Sequence, residues 1–166
     1  NGLVCALLTG SERDAELKKA AGLKQIEISA RAKGDLIMMG IGGFSPLSGF
    51  MTKADWKGVC EKFQMADGTF WPVPITLDIS AADAAAIKEG EEIALVRKGV
   101  TFATMKVTEK YEMTEADKKF ECEKVFKGMG EDSSDEKFWK VAVEDHPGVQ
   151  MVLAQKEFNI AGPVKV

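Results

Sequence analysis

Gly42-Gly43-Phe44-Ser45-Pro46-Leu47-Ser48-Gly49-Phe50-Met51 packs three glycines, a proline, two phenylalanines and a leucine into ten residues. Glycine permits a sharp reversal and proline stiffens it, while the aromatic rings need an apolar surface to cover. The composition predicts a buried structural turn rather than a solvated linker. A phosphate-cradling loop is the rival reading. It lacks the chemistry, because the chain has neither a Gly-Lys-Ser/Thr ending nor Gly-x-Gly-x-x-Gly spacing here.

On the amino-terminal side, Ser29 precedes residues 30–40, where Ala32, Leu36 and Met39 or Gly40 recur at helical spacing. Ile37 and Met38 broaden that apolar face, which predicts a helix buried on more than one side. Before it, Lys24-Gln25-Ile26-Glu27-Ile28 alternates as a strand, following a helix over residues 13–21 capped by Thr9 or Ser11 and stopped by Gly22. On the carboxyl-terminal side, Thr52 with Asp55 at capping-box distance opens a helix whose Trp56, Val59, Cys60 and Phe63 share one face, ended by residues 64–68. Residues 69–79 change to a β pattern. Pro72 and Pro74 confine it to a sheet edge or a strand start, with Ile75, Leu77 and Ile79 inward.

Ser80 caps a short alanine-rich helix over 81–88, and Gly90 stops it. Residues 92–97 and 100–107 predict a hairpin about Lys98-Gly99 with the glycine at positive φ, and 108–113 add a strand. Thr114 caps a helix over 115–127 with Ala116, Phe120 and Val125 inward, ended by Gly128 and Gly130. The acidic run over 131–136 has no apolar residue with which to order itself, and Phe138 and Trp139 re-anchor the chain. A calcium loop there lacks its glycine and terminal glutamate. Residues 158–166 read as a strand, a Gly-Pro turn and the opening of another strand. Short strands mixed with helices make the class α+β: a small β-barrel or bent sheet with several flanking helices.

The 42–51 segment resembles the Gly-Gly-Phe-Ser-Pro-Leu-x-Gly-Phe-Met signature of the ATP sulfurylase (sulfate adenylyltransferase) family. Four further stretches agree in order. These are Leu7-Leu8-Thr9-Gly10-Ser11-Glu12-Arg13; Met65-Ala66-Asp67-Gly68-Thr69 running on to Pro72-Val73-Pro74-Ile75-Thr76-Leu77-Asp78; Glu123-Lys124-Val125-Phe126; and Asp145-His146-Pro147-Gly148-Val149, where Asp145 replaces the usual Glu. The resemblance covers nearly the whole chain. It implies that residues 1–166 are the amino-terminal PUA-like domain of such an enzyme, which supports and orients a larger catalytic domain that follows.

The family's reaction joins ATP and sulfate reversibly to give adenosine 5'-phosphosulfate and pyrophosphate, with magnesium on the phosphates. Its catalytic domain uses a Gln-x-Arg-Asn-Pro motif and paired histidines. In this chain Gln25, Gln64, Gln150 and Gln155 are not followed by Arg-Asn-Pro, and His146 is the single histidine. The resemblance therefore places catalysis outside these residues. It implies no catalytic, cofactor-binding or metal residue here and no cofactor of this segment's own, ATP and Mg belonging to the parent enzyme. The implied partners are the catalytic domain and further copies in a homo-oligomer. PUA-like barrels elsewhere bind RNA, so an independent RNA-binding module is the alternative.

The chain's balance weighs against that alternative. With 22 basic and 26 acidic residues the net charge is −4, whereas nucleic-acid binding normally needs a basic face. Its 166 residues suit one domain, and no apolar run approaches the roughly 18 residues of a membrane span. Cys5, Cys60 and Cys122 are odd in number and far apart, which fits reduced, partly buried thiols better than disulfides or zinc. No signal-like start is visible, and the cytoplasm is the expected compartment. His146 sits before Pro147-Gly148 and reads as a turn residue rather than a catalytic base. Arg13, Arg31 and Arg97 are the arginines available to face an anion. Trp56, Trp71, Trp139 and the methionines Met38, Met39, Met51 and Met65 read as core or interface.

Overall fold

Small polar side chains open most of the helices. The structure, a computed structural model, describes residues 2–126 and 146–166. Helix α1 (Gly10–Ala20) follows Thr9, whose side chain makes no capping bond. In α2 (Ala30–Gly40), α3 (Lys53–Lys62) and α4 (Ala81–Ala86), by contrast, Ser29, Thr52 and Ser80 accept hydrogen bonds from the N–H groups of Ala32, Asp55 and Asp83. Thr114 Oγ1 accepts from Asp117 N at 3.1 Å ahead of α5 (Glu115–Phe126). His146 Nδ1 accepts from Gly148 N at 3.0 Å to start α6 (Pro147–Leu153).

The strands are β1 (Lys24–Glu27), β2 (Gly49–Phe50), β3 (Leu77–Ile79), β4 (Glu92–Arg97), β5 (Val100–Lys106), β6 (Glu109–Glu112) and β7 (Phe158–Lys165). They form one sheet in the order β1-β4-β5-β7-β2, with β3 and β6 also on β7. The β1–β4 pair is parallel and the others are antiparallel. Strand β7 organises the whole. Its first half pairs with β3 and β6, and its second half with β2 and β5. A strand that exchanges both neighbours midway must bend, and Gly162, at φ 145°, stands at the exchange. The Gly-Pro turn expected at 162–163 is thus an interior bend of one continuous strand.

The main core gathers Leu36 and Met39 from α2, Phe50 from β2, Leu77 and Ile79 from β3, Ile93 and Leu95 from β4, and Ile160 from β7. The expected α+β class, bent sheet and flanking helices stand. Lys98 and Gly99 both take positive φ (50° and 77°), as a two-residue hairpin turn demands. Other local expectations change. Of residues 69–79 only 77–79 join the ladder, because Pro72 and Pro74 cannot donate to it. Phe63 leaves the inward face of α3, since it is the left-handed cap of that helix and is 45% exposed.

Ala116 is exposed, whereas Phe120 and Val125 pack half-buried against the cluster around Trp56 and Tyr111 as expected, with Lys118, Glu121 and Cys122 buried beside them. Ile37 and Met38 are exposed as well, so within this chain α2 is buried on one side only. The acidic run over 131–136, the anchors Phe138 and Trp139, the stops Gly128 and Gly130, and Asp145 lie outside the described residues.

Candidate functional site

The 42–51 segment is held by contacts that only glycine allows. Gly49 of β2 lies across from Gly162 and Pro163 of β7, and a Cβ at Gly49 would overlap the Gly162 carbonyl oxygen. A Cβ at Gly162 would in turn overlap the Lys106 carbonyl oxygen. Three backbone segments therefore stack with no side chain between them. Ahead of this stack, Ser45 Oγ accepts from Val4 N at 2.9 Å and donates to Gly42 O at 2.7 Å, tying the turn to the start of the chain. The Ser45-Pro46 peptide is cis.

Five amides of this segment are already engaged. Gly42 N donates to Met39 O, Gly43 N to Met38 O, Ser45 N to Gly42 O, Leu47 N to Phe44 O and Met51 N to Ile75 O. A phosphate nest requires free N–H groups converging on one point. These five donors are committed elsewhere and form no such nest. The packing-turn reading accounts for it. Leu47, Phe50 and Met51 are buried, whereas Phe44 is half-buried with its ring edge-on to Trp71 at 5.8 Å.

A groove of about 350 Å³ runs along the same segment, bringing residues 46–52 together with Asp55, Met65 to Asp67, Thr108 and Gly162-Pro163. Segments distant in sequence thus share one concavity. Its charged side chains are two carboxylates. Asp55 accepts from Thr52 Oγ1 at 2.7 Å and from Ala66 N at 2.9 Å. Asp67 accepts from Thr69 N at 2.8 Å, a backbone hydrogen bond that holds its carboxyl below the usual range. Apolar walls with an acidic rim repel sulfate and nucleotide phosphates and suit a neutral or basic protein segment.

The arginines face partners of their own. Arg13 pairs with Asp14 at 2.8 Å on the surface, and Arg97 donates to the Ile28 carbonyl at 2.9 Å. Arg31 acts on Asp35 and Glu121, whose carboxyls burial pushes up while the guanidinium opposes the shift. His146 is the α6 cap, packed on Phe126 with ring centroids 4.7 Å apart, in keeping with its reading as a turn residue. Cys60 and Cys122 are buried and Cys5 is exposed, all as free thiols. Burial raises the Cys60 thiol strongly, which leaves it unreactive. Among the described residues no group of three or more His, Cys, Asp or Glu side chains is placed to hold a metal ion.

What the sequence reading missed is a polar cluster under α5. Trp56 Nε1 donates to Glu121 Oε2 at 2.6 Å, Lys118 Nζ donates to Gln155 O at 2.8 Å, and Tyr111 OH donates to Met51 O at 3.0 Å. Trp56, Tyr111, Lys118 and Glu121 are all more than 90% buried. The Asn159 and Gln155 side-chain amides beside them find no hydrogen-bond partner among the described residues. Periodicity carried one signal of this cluster, since Lys118 and Glu121 lie three apart on one helix face. Charge alone hid it, because charged residues are rarely buried unpaired.

Comparison with known proteins places this architecture. The PUA-like domain profile matches residues 1–166. The chain belongs to the PUA-like domain family. This PUA-like domain is 77% identical over 165 residues to a sulfate adenylyltransferase of Desulfovibrio desulfuricans, a match covering 99% of the chain and 38% of that protein. It is 71% identical to the sulfate adenylyltransferase of Desulfatibacillum aliphaticivorans, covering 99% of the chain and 39% of that protein. The chain spans less than two-fifths of the length of these relatives. Among solved structures, a chain described as the hexameric APS kinase from Thiobacillus denitrificans superposes with a TM-score of 0.66 at 24% identity, covering 99% of this domain and 25% of that chain. That likeness concerns the fold.

Proposed function

We propose that this PUA-like domain is the amino-terminal, non-catalytic part of a sulfate adenylyltransferase and that it supports and orients the catalytic part. The observation that carries the reading is the 77% identity to a sulfate adenylyltransferase across 99% of the chain. The parent enzyme would join ATP and sulfate to adenosine 5'-phosphosulfate and pyrophosphate, with magnesium held outside this segment. The residues here support that division of labour. Five amides of the glycine loop are engaged and the groove beside it is rimmed by Asp55 and Asp67, which opposes ATP or sulfate there.

The domain contributes geometry instead. Backbone stacking at Gly49, Gly162 and Lys106 makes the groove stiff, which suits a surface that positions a neighbour. A homo-oligomer of the parent enzyme and a cytoplasmic setting belong to the same proposal, the latter supported by three free thiols. Assaying pyrophosphate release from ATP and sulfate tests the assignment. The full polypeptide should turn over and residues 1–166 alone should not. Turnover by the segment at enzyme-like rates refutes the supporting role. RNA binding is opposed by the net charge of −4, and a salt-dependent, sub-micromolar RNA complex would reverse that judgement.

A further inference from the structure

Two amide side chains enter the interior where the chain leaves α6 for β7. Asn159 is 0% exposed and Gln155 is 7% exposed. All four of their side-chain polar atoms, Asn159 Oδ1 and Nδ2 with Gln155 Oε1 and Nε2, lack a hydrogen-bond partner among the described residues. Roughly 90% or more of buried polar groups are paired with protein or with ordered water. An amide buried without partners is costly, so these two residues call for a ligand that supplies what the protein does not.

Sheet register sets what Asn159 meets. It stands opposite Tyr111 of β6 and Asp78 of β3, and residues directly opposite share one face of a sheet. Burial pushes the Tyr111 phenol up, and Asn159 opposes that rise from close by. No direct bond joins the two amide atoms to the ring, because the Tyr111 hydroxyl donates instead to Met51 O at 3.0 Å. Its oxygen keeps lone pairs with which to accept. Ala161 lies two residues along the same face of β7. It has the smallest side chain of its cluster with Trp56, Cys60, Tyr111 and Met113, so its single methyl group takes the least volume there.

Charge narrows the ligand. The Lys118 ammonium, 2.8 Å from the Gln155 carbonyl oxygen, disfavours a cation. The carboxyls of Glu121, bonded to Trp56 Nε1, and of Asp78, opposite Asn159, disfavour an anion. An amide both donates and accepts, so its ligand must do the same while remaining neutral and small. Water meets each condition. We propose that Asn159 and Gln155 form an internal water-binding site beneath α5, in which the water at Asn159 is shared with the Tyr111 hydroxyl oxygen. An internal water typically makes about three hydrogen bonds, so it ties β7 to β6 and stiffens the seat on which α5 rests. The site does not depend on the sulfate adenylyltransferase assignment, and its failure would leave that assignment untouched.

High-resolution crystallography of the full polypeptide tests the proposal, in the wild type and in Asn159→Leu, which keeps the side chain's size but removes both polar atoms. The wild-type map should show a water peak about 2.7–3.2 Å from an Asn159 amide atom and from Tyr111 Oη, with another at similar range from the Gln155 amide. Oxygen-17 relaxation dispersion of the water signal should count about one long-lived internal water fewer in Asn159→Leu than in the wild type. Amides that bond directly to protein groups, with no water peak beside them, overturn the proposal, as does an unchanged count of long-lived waters. A peak whose contact distances or anomalous signal identify an ion also overturns it. If Asn159→Leu does not fold, Gln155→Met makes the same comparison at the second amide, and the wild-type map decides by itself.

Discussion

Replacing Gly162 by alanine should unfold the sheet at its centre. Two costs arise from the structure. Gly162 has φ 145°, where an L side chain is strained by about 1–3 kcal/mol. The new Cβ would also overlap the Lys106 carbonyl oxygen and lie 3.1 Å from Thr108 N. Both neighbours are backbone, so no side chain can rotate away. Relief requires β7 to retreat from the Lys106 to Thr108 segment, which breaks the Thr108 N to Ala161 O hydrogen bond now 2.8 Å long. Losing this bond, between exposed Thr108 and buried Ala161, costs about 0.5–1.5 kcal/mol.

The expected loss is therefore about 3 kcal/mol, a fall in melting temperature of roughly 6–12 °C for a domain of this size. Urea unfolding followed by the fluorescence of buried Trp56 measures it. Gly34→Ala is the matched control: Gly34 lies within α2 with nothing inside 4 Å of its would-be Cβ, and alanine there should stabilise by about 0.5–1 kcal/mol. A Gly162→Ala loss under about 1 kcal/mol would falsify the argument that β7 is locked by backbone contact.

Phe50→Ala should cost about 3–5 kcal/mol, because its ring is 3% exposed within the main core. Phe44→Ala should cost only about 1–2 kcal/mol, since that ring is half-buried against Trp71, and equal losses in denaturant melts would contradict this ranking. Burial holds the Glu121 carboxyl above the ordinary 4.5, so the folded state binds this proton more tightly than the unfolded chain does. The resulting penalty is absent below pH 4.5 and grows as pH rises through the folded value. Glu121→Gln should thus gain stability relative to wild type at about pH 8 and show no such gain at about pH 4; a pH-independent difference would refute the shift. Substituting Asp67 by Asn, which keeps the Thr69 contact, should leave catalysis by the full enzyme within about twofold, and a large loss of turnover with unchanged stability would place the groove in the chemistry.

Local signals in the sequence determined much of this protein. Ser29, Thr52 and Ser80 mark helix starts because a hydroxyl oxygen satisfies an otherwise unpaired amide within a few residues. Lys98-Gly99 marks a hairpin because two residues at positive φ suit the strand twist. The 42–51 segment announced a buried turn through its glycines and aromatics, and the same residues carried the family resemblance.

Contacts between distant segments decided the rest. Gly162-Pro163 reads locally as a turn, yet it lies inside a strand because β2, β5 and Lys106 press against it from far away in sequence. Lys118 and Glu121 are not among the residues that periodicity turns inward on α5, yet Gln155 and Trp56 arrive from other elements to receive them. The two apolar sides of α2 were legible in the residue pattern, but only the tertiary structure shows which side the sheet covers. A one-dimensional period says that a face is apolar; what packs on it is set by the three-dimensional path of the chain.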